Sequence, residues 1–190
     1  MIIDGNSLTY RAFFALPPDM VTSKGQTTNA VYGFASMLVN LIKDQQPKKI
    51  VVAFDRPEKT FRHKKLVSYK ANREKQPDIL YEQIPLVKEM VSLLGYMTID
   101  IEGFEADDVI ATLATMGRDA GEEVVVVTGD RDVFQLVEDP HIKVLYNKKG
   151  VSDYALYDEK GIFDRTGVAP EDYVNYAALR GDTSDNLPGV

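Results

Sequence analysis

Short apolar, β-branched runs that end in an aspartate constrain this chain more than any other feature. Met1-Ile2-Ile3 precedes Asp4, Ile50-Val51-Val52-Ala53-Phe54 precedes Asp55, and Val124 to Val127 lie just before Asp130. Such runs suit buried strands and are far too short to cross a bilayer. Between them the apolar spacing turns helical. Ala30, Val31, Phe34, Met37, Leu38, Leu41 and Ile42 share one face after Thr27-Thr28, either of which could cap a helix, and the pattern stops before Pro47. Strands alternating with helices predict an α/β fold of βαβ units around a mainly parallel sheet. The acids that end parallel strands emerge together at the carboxyl edge, where open α/β folds place their sites.

The pattern continues with a helix over about Asp78 to Leu94, ended by Gly95, and a strand at Tyr96 to Ile101. A third helix is expected from Glu105 to about Gly121, with Val109, Ile110, Leu113 and Ala114 facing inward. A short helix from Asp132, a strand at Ile142 to Tyr146, and helical segments near Asp158 to Arg165 and Pro170 to Leu179 complete the chain. Arg56 to Gln76 is the least periodic stretch and reads as an insertion. A chain of 190 residues fits one domain. The absence of cysteine excludes disulfides and thiolate metal sites, and His63 and His141 are too few for a histidine-rich zinc site. No signal peptide is recognised, so a cytoplasmic protein is expected.

Nine carboxylates stand out: Asp4, Asp55, Glu105, Asp107, Asp108, Asp130, Asp132, Asp182 and Asp185. Each alone has an ordinary reading. Asp4 and Asp55 suit turns or helix caps, Glu105 to Asp108 an acidic first helical turn, Asp132 a cap, and Asp182 with Asp185 a polar turn. Together they point one way, because two carboxylates about 4 Å apart repel by roughly 4 kcal/mol at an effective dielectric near 20. A converging set needs cations, and hard Mg²⁺ or Mn²⁺ suits an all-oxygen donor set.

The formal net charge of −7 hides an asymmetry. Arg56 to Lys75 holds eight basic residues against two acids, a local +6 that leaves −13 elsewhere. One element contacting phosphates while the rest holds metal would give this distribution, and so would a solvated basic helix. Lys70 and Arg73 are three apart, so on a helix they share a face and reach one phosphate. Tyr69 and Arg62 lie beside them, and Tyr10-Arg11 follows the Asp4 turn closely enough to border the site.

The ordered motifs resemble a known family. They are Ile3-Asp4-Gly5-Asn6-Ser7 with Tyr10-Arg11-Ala12-Phe13, Thr28 to Phe34, Tyr69-Lys70-Ala71-Asn72-Arg73, Gly103 to Asp108, Thr128 to Asp132, and Ala178 to Gly189. Together they look like the 5′-nuclease (5′-to-3′ exonuclease, or flap endonuclease) domains of bacterial DNA polymerase I. The resemblance implies a PIN-like (resolvase-like) three-layer fold with a helical arch inserted at about residues 56–85. It implies cleavage of 5′ flaps and nicked or gapped DNA, and of RNA primers, with two or more Mg²⁺ or Mn²⁺ ions on the nine acids. Lys70 and Arg73 would approach the scissile phosphate, with Tyr10, Arg11, Arg62 and Tyr69 as further nucleic-acid contacts. It also implies a core over 1–181, the start of a helix–hairpin–helix element at 182–190 cut off here, a polymerase domain following in a longer protein, and a monomer. Two other readings stay open: a weakly active or inactive metal-binding piece, and a small-molecule phosphohydrolase.

Overall fold

The computed structural model describes all 190 residues. Six strands form one sheet: β1 (Ile2–Asp4), β2 (Val51–Ala53), β3 (Met97–Ile99), β4 (Val124–Thr128), β5 (Ile142–Lys149) and β6 (Asp153–Tyr157). Their spatial order is β3-β2-β1-β4-β5-β6, parallel except for the β5–β6 hairpin. From β1 the chain winds outward through β2 to β3, then returns to place β4 on the other side of β1. That reversal makes the β1–β4 junction a topological switch point, the place where open α/β sheets bind ligands.

The sheet is short-stranded yet buried because neighbouring residues serve opposite faces. Ile2, Ala53, Val126 and Val144 pack with helix α6 (Ala106–Asp119) and with Phe134 and Tyr173. Ile3, Val52, Val127 and Leu145 pack against three helices on the other face: α1 (Gly5–Ala15), α2 (Asn29–Gln45) and α5 (Gln83–Leu93). The result is the α/β fold expected from the alternation of strands and helices, in the three layers that the resemblance implies.

Several local expectations need correction. The helix expected over Asp78 to Leu94 is broken into α4 (Asp78–Tyr81) and α5 at Glu82. Pro85 has no N–H to give the Tyr81 carbonyl, and its ring crowds that group. Thr28 occupies the cap position of α2 but makes no capping bond. Gln83 does so instead, its Oε1 accepting from the Ala30 and Val31 N–H groups at 2.9 and 3.4 Å. β5 runs three residues beyond the expected strand and pairs with β6, which sequence spacing did not reveal. Helices α7 (Glu159–Thr166) and α8 (Tyr173–Arg180) fall where expected.

The insertion is mostly turns. Only α3 (Phe61–Lys65) is helical before α4, and residues 67–72 are turns. Lys70 has a left-handed φ of 55°. Lys70 and Arg73 therefore do not share a helix face, although the Arg73 N–H does bond the Lys70 carbonyl at 3.2 Å.

Candidate active site

Several of the acids are fixed by the local structure that the ordinary readings describe. Asp4 ends β1 and caps α1, accepting from Ser7 N–H at 2.9 Å, and its other oxygen accepts from Thr128 Oγ1 at 2.7 Å. The following residue must be glycine, because a Cβ on Gly5 would sit 2.4 Å from the Phe54 ring. Asp55 accepts from the Ala106 N–H at the start of α6 at 2.8 Å. Asp108 closes a capping box with Glu105 on the same helix. Asp130 accepts from the Asp132 N–H at 2.8 Å, and Asp182 accepts from Ser184 N–H and Oγ at 2.7 Å each. Asp132 is not a cap; it opens a 3₁₀ turn over Asp132–Leu136. Capping uses one oxygen of Asp55, Asp130 and Asp182 and leaves the second open. A cap and a ligand are therefore compatible roles for one carboxylate.

The Asp107 carboxylate makes no hydrogen bond or ion pair within the protein. Burial, then the charges of Asp4, Asp130 and Asp55, push its carboxyl up to about 8. Asp4 rises to about 7, mainly through burial, with Asp55 and Asp130 adding repulsion. Asp132 rises to about 6 for the same reasons, with Asp130, Asp182 and Asp185 as its charged neighbours. These relations sort the acids into two neighbourhoods joined at Asp130: Asp4, Asp55 and Asp107 on one side, Asp132, Asp182 and Asp185 on the other.

The insertion folds back over the remaining acids. Arg62 grips Asp108 through both terminal nitrogens at 2.6 and 2.7 Å. Burial raises the Asp108 carboxyl, but the Arg62 bond and the Glu105 N–H bring it below its ordinary value. Lys70 Nζ lies 3.1 Å from Glu105 and 3.8 Å from Asp185, and Arg73 lies 3.0 Å from Asp185. The Tyr69 hydroxyl donates to Glu105 and Asp185 at 3.0 and 3.1 Å. Backbone stitches hold the arrangement: Lys70 N–H reaches the Asp185 carbonyl at 3.0 Å and Asn186 Nδ2 reaches the Ser68 carbonyl at 2.9 Å. Residues 182–187 thus pack with the insertion as part of the site. Asn186 and Asn72, which also bond each other at 3.0 Å, lie within the family motifs but were assigned no role from the sequence.

The structure does not bring all nine acids together. No three of them converge as the ligands of a single ion, and basic side chains of the insertion pair with Glu105, Asp108 and Asp185. Tyr69, expected to meet nucleic acid, is buried with its hydroxyl engaged, so its ring is not presented to a base here. Arg62 is likewise committed to Asp108. Tyr10 both packs on Phe13 and Leu80 and lines the cleft. Burial and a bond to Tyr81 push its hydroxyl up to about 12.

A cleft of about 820 Å³ joins these parts, lined by Asp4, Asp55, Glu105, Asp107 and Asp130 on its floor and by Tyr10, Arg11, Lys70 and Arg73 on its walls. A smaller cleft of about 610 Å³ lies between α6, α7 and the Gln135–Glu138 segment. Its charges are satisfied locally, Arg118 with Glu138 at 2.7 Å, and it contains none of the nine acids. No helix is long and apolar enough to cross a membrane.

Comparison with known proteins agrees with this geometry. A model of the 5′-3′ exonuclease, N-terminal resolvase-like domain matches residues 1–167. DNA polymerase I of Mycobacterium tuberculosis (strain H37Rv) is 50% identical over 191 residues, covering 100% of this chain and 21% of that protein. The chain therefore spans about a fifth of the length of such relatives. A bacteriophage T5 protein co-crystallised with metal ions shares the fold with a TM-score of 0.79 at 22% identity, over 100% of this chain and 68% of that one. A T5 flap endonuclease in a pseudo-enzyme–product complex with DNA and metal ions does so with a TM-score of 0.74 at 23% identity, over 100% and 69%.

Proposed function

This chain belongs to the 5′-3′ exonuclease N-terminal resolvase-like domain family, and on that basis we propose that it hydrolyses phosphodiesters in DNA bearing a 5′ flap, nick or gap, and in RNA primers. The observation that carries the reading is the cleft itself, with under-neutralised carboxylates on its floor and basic and aromatic side chains on its walls. An all-oxygen, partly unpaired donor set suits hard divalent ions, and the oxygen left open on each of Asp55, Asp107 and Asp130 fits them. Mg²⁺ or Mn²⁺, two or more ions, would be held by Asp4, Asp55, Glu105, Asp107, Asp108 and Asp130, and by Asp132, Asp182 and Asp185. When bound, such ions supply acidity to water and positive charge at the phosphate.

The remaining roles belong to the chain's own side chains. Glu105 and Asp185 become available once the Lys70 and Arg73 pairs open. Those two cations then face the phosphate and stabilise the charge that grows on its oxygens. Tyr10 offers a stacking surface, worth roughly 1–3 kcal/mol for one base, and Arg11 a phosphate contact. No side chain is placed as a covalent nucleophile; water attacks the phosphorus and the bond to the 3′ oxygen breaks, so the products are a 5′-phosphate and a 3′-hydroxyl. A longer protein with a polymerase domain, working in the cytoplasm, fits the relatives. A labelled 5′-flap duplex should be cut with Mg²⁺ or Mn²⁺ and left intact with chelator; cleavage that ignores chelator would overturn the reading.

One observation favours a second reading, in which this stretch alone is weakly active or inactive. The basic insertion is already paired with Glu105, Asp108 and Asp185, which is a resting arrangement. Cleavage only by a longer protein would support it. A phosphohydrolase acting on small esters is disfavoured, because a small substrate gives the +6 segment no work.

A further inference from the structure

The β5–β6 hairpin brings a cation to the cleft that neither the sequence motifs nor the acids account for. β5 is parallel to β4, so its end projects from the same carboxyl edge as Asp4 and Asp130. Register shifts between Asn147 and Lys149, where an irregularity of this kind re-aims a strand end. Asn147 is buried and its Nδ2 bonds the Gly150 carbonyl at 3.2 Å, which fixes the turn, while Gly150 takes a φ of 59°. Lys149 and Gly150 then line the cleft, whereas Lys148 does not.

Arg11 meets this hairpin from α1. Ser7, Tyr10, Arg11 and Phe14 share the cleft-facing side of that helix, while Leu8, Ala12 and Phe13 are buried. The Arg11 guanidinium is steadied by a long 3.5 Å bond to the Asn147 carbonyl, so most of its five donors remain available. The insertion behaves differently. Arg62, Lys70 and Arg73 all pair with carboxylates, but neither Arg11 nor Lys149 has one within 4.0 Å. Two unpaired cations beside a line of acids are suited to an anion that enters the cleft.

We propose that Lys149 at the hairpin tip, together with Arg11, forms a phosphate clamp on the cleft wall opposite the basic insertion, holding a phosphate of the strand being cut. The insertion follows β2 and the hairpin follows β5, three strand spacings apart, or roughly 14 Å. A short stretch of single strand crosses that distance with the acids beneath it. The clamp rests on the nuclease reading for its substrate, and Lys149 is a positioning residue.

The test compares Lys149→Ala, Lys149→Arg and Lys148→Ala, the last removing the same charge one residue outside the cleft. With a 5′-flap substrate, Lys149→Ala should raise KM about fivefold with kcat within about twofold, and Lys149→Arg should restore it. The slope of log affinity against log salt, read by fluorescence anisotropy without divalent metal, should fall by about 0.7, one single-strand phosphate contact. Substrates with a 5′-phosphate and with a 5′-hydroxyl separate the sources. An equal effect on both assigns the clamp to an internal phosphodiester, and an effect confined to the first assigns it to the terminal phosphate. An unchanged KM and slope in Lys149→Ala, or equal changes in Lys148→Ala, would overturn the clamp. If the wild type cuts nothing, the nuclease reading fails, while the anisotropy slope still reads the clamp.

Discussion

Two groups of carboxylates in and around one cleft live under opposite electrostatics. Asp4, Asp107 and Asp132 have no basic partner within 4.0 Å and are pushed up to about 7, 8 and 6. Glu105, Asp108 and Asp185 face the insertion and carry Lys70, Arg62 and Arg73 at 2.6 to 3.1 Å. Burial, and then repulsion from neighbouring acids, raises the first group, and the second is served by cations of the chain itself. Both need positive charge in the cleft, but one waits for it from outside and the other holds a replaceable substitute.

The largest effect is expected at Asp130, whose charge acts on all three acids of the first group. Asp130→Asn should lower kcat on a 5′-flap duplex by about a thousandfold, since metal ions contribute several kcal/mol to such steps. Circular dichroism of that variant should be unchanged, because the side-chain oxygen of an asparagine there can still accept from the Asp132 N–H. Turnover near wild type in Asp130→Asn would end the two-neighbourhood account.

Lys70→Ala sharpens the comparison from the other side. It should cost about a hundredfold in kcat, the usual effect of removing one transition-state donor. The same change should tighten Mn²⁺ binding by about fivefold, because it removes the cation that competes for Glu105. Weaker Mn²⁺ binding in this variant would mean that Lys70 supports the metal site rather than substituting for it.

The smallest effect is on stability. In the fold Asp4, Asp107 and Asp132 hold protons up to about pH 7, 8 and 6, whereas their ordinary value is 3.8. Between those limits the folded state binds more protons than the unfolded one, so metal-free stability falls as pH rises from about 4 to 8. Asp107→Asn should relieve part of this cost, raising the metal-free melting temperature at pH 8 by roughly 3 °C and leaving it unchanged at pH 4. A fall at pH 8 would show that Asp107 is stabilising in its charged form.

Much of this was legible in the sequence. The strands ending at Asp4, Asp55 and shortly before Asp130 were visible because a β-branched run closed by an acid is a local signal. Helices α2 and α6 followed from apolar spacing. What escaped was non-local. Gln83 caps a helix more than fifty residues away, Asn186 ties down Ser68, and β6 is defined by its partner rather than by its own alternation. The insertion misled for a related reason. The three-residue spacing of Lys70 and Arg73 implied a helix face, but Lys70 sits at a φ of 55° and bonds Asp185, so the pair is gathered by tertiary contacts. Lys149 was invisible because nothing in a Lys-Lys-Gly turn states which edge of a sheet it will occupy.

The central claim is that the sheet-edge acids wait for an external divalent cation. Isothermal titration of the metal-free protein with Mn²⁺ at pH 8, repeated with Asp107→Asn and Asp130→Asn, tests it most directly. The account predicts saturable binding of at least one ion by the wild type, accompanied by proton release, with affinity lost in both variants. No binding by the wild type, or equal binding by all three proteins, would contradict it.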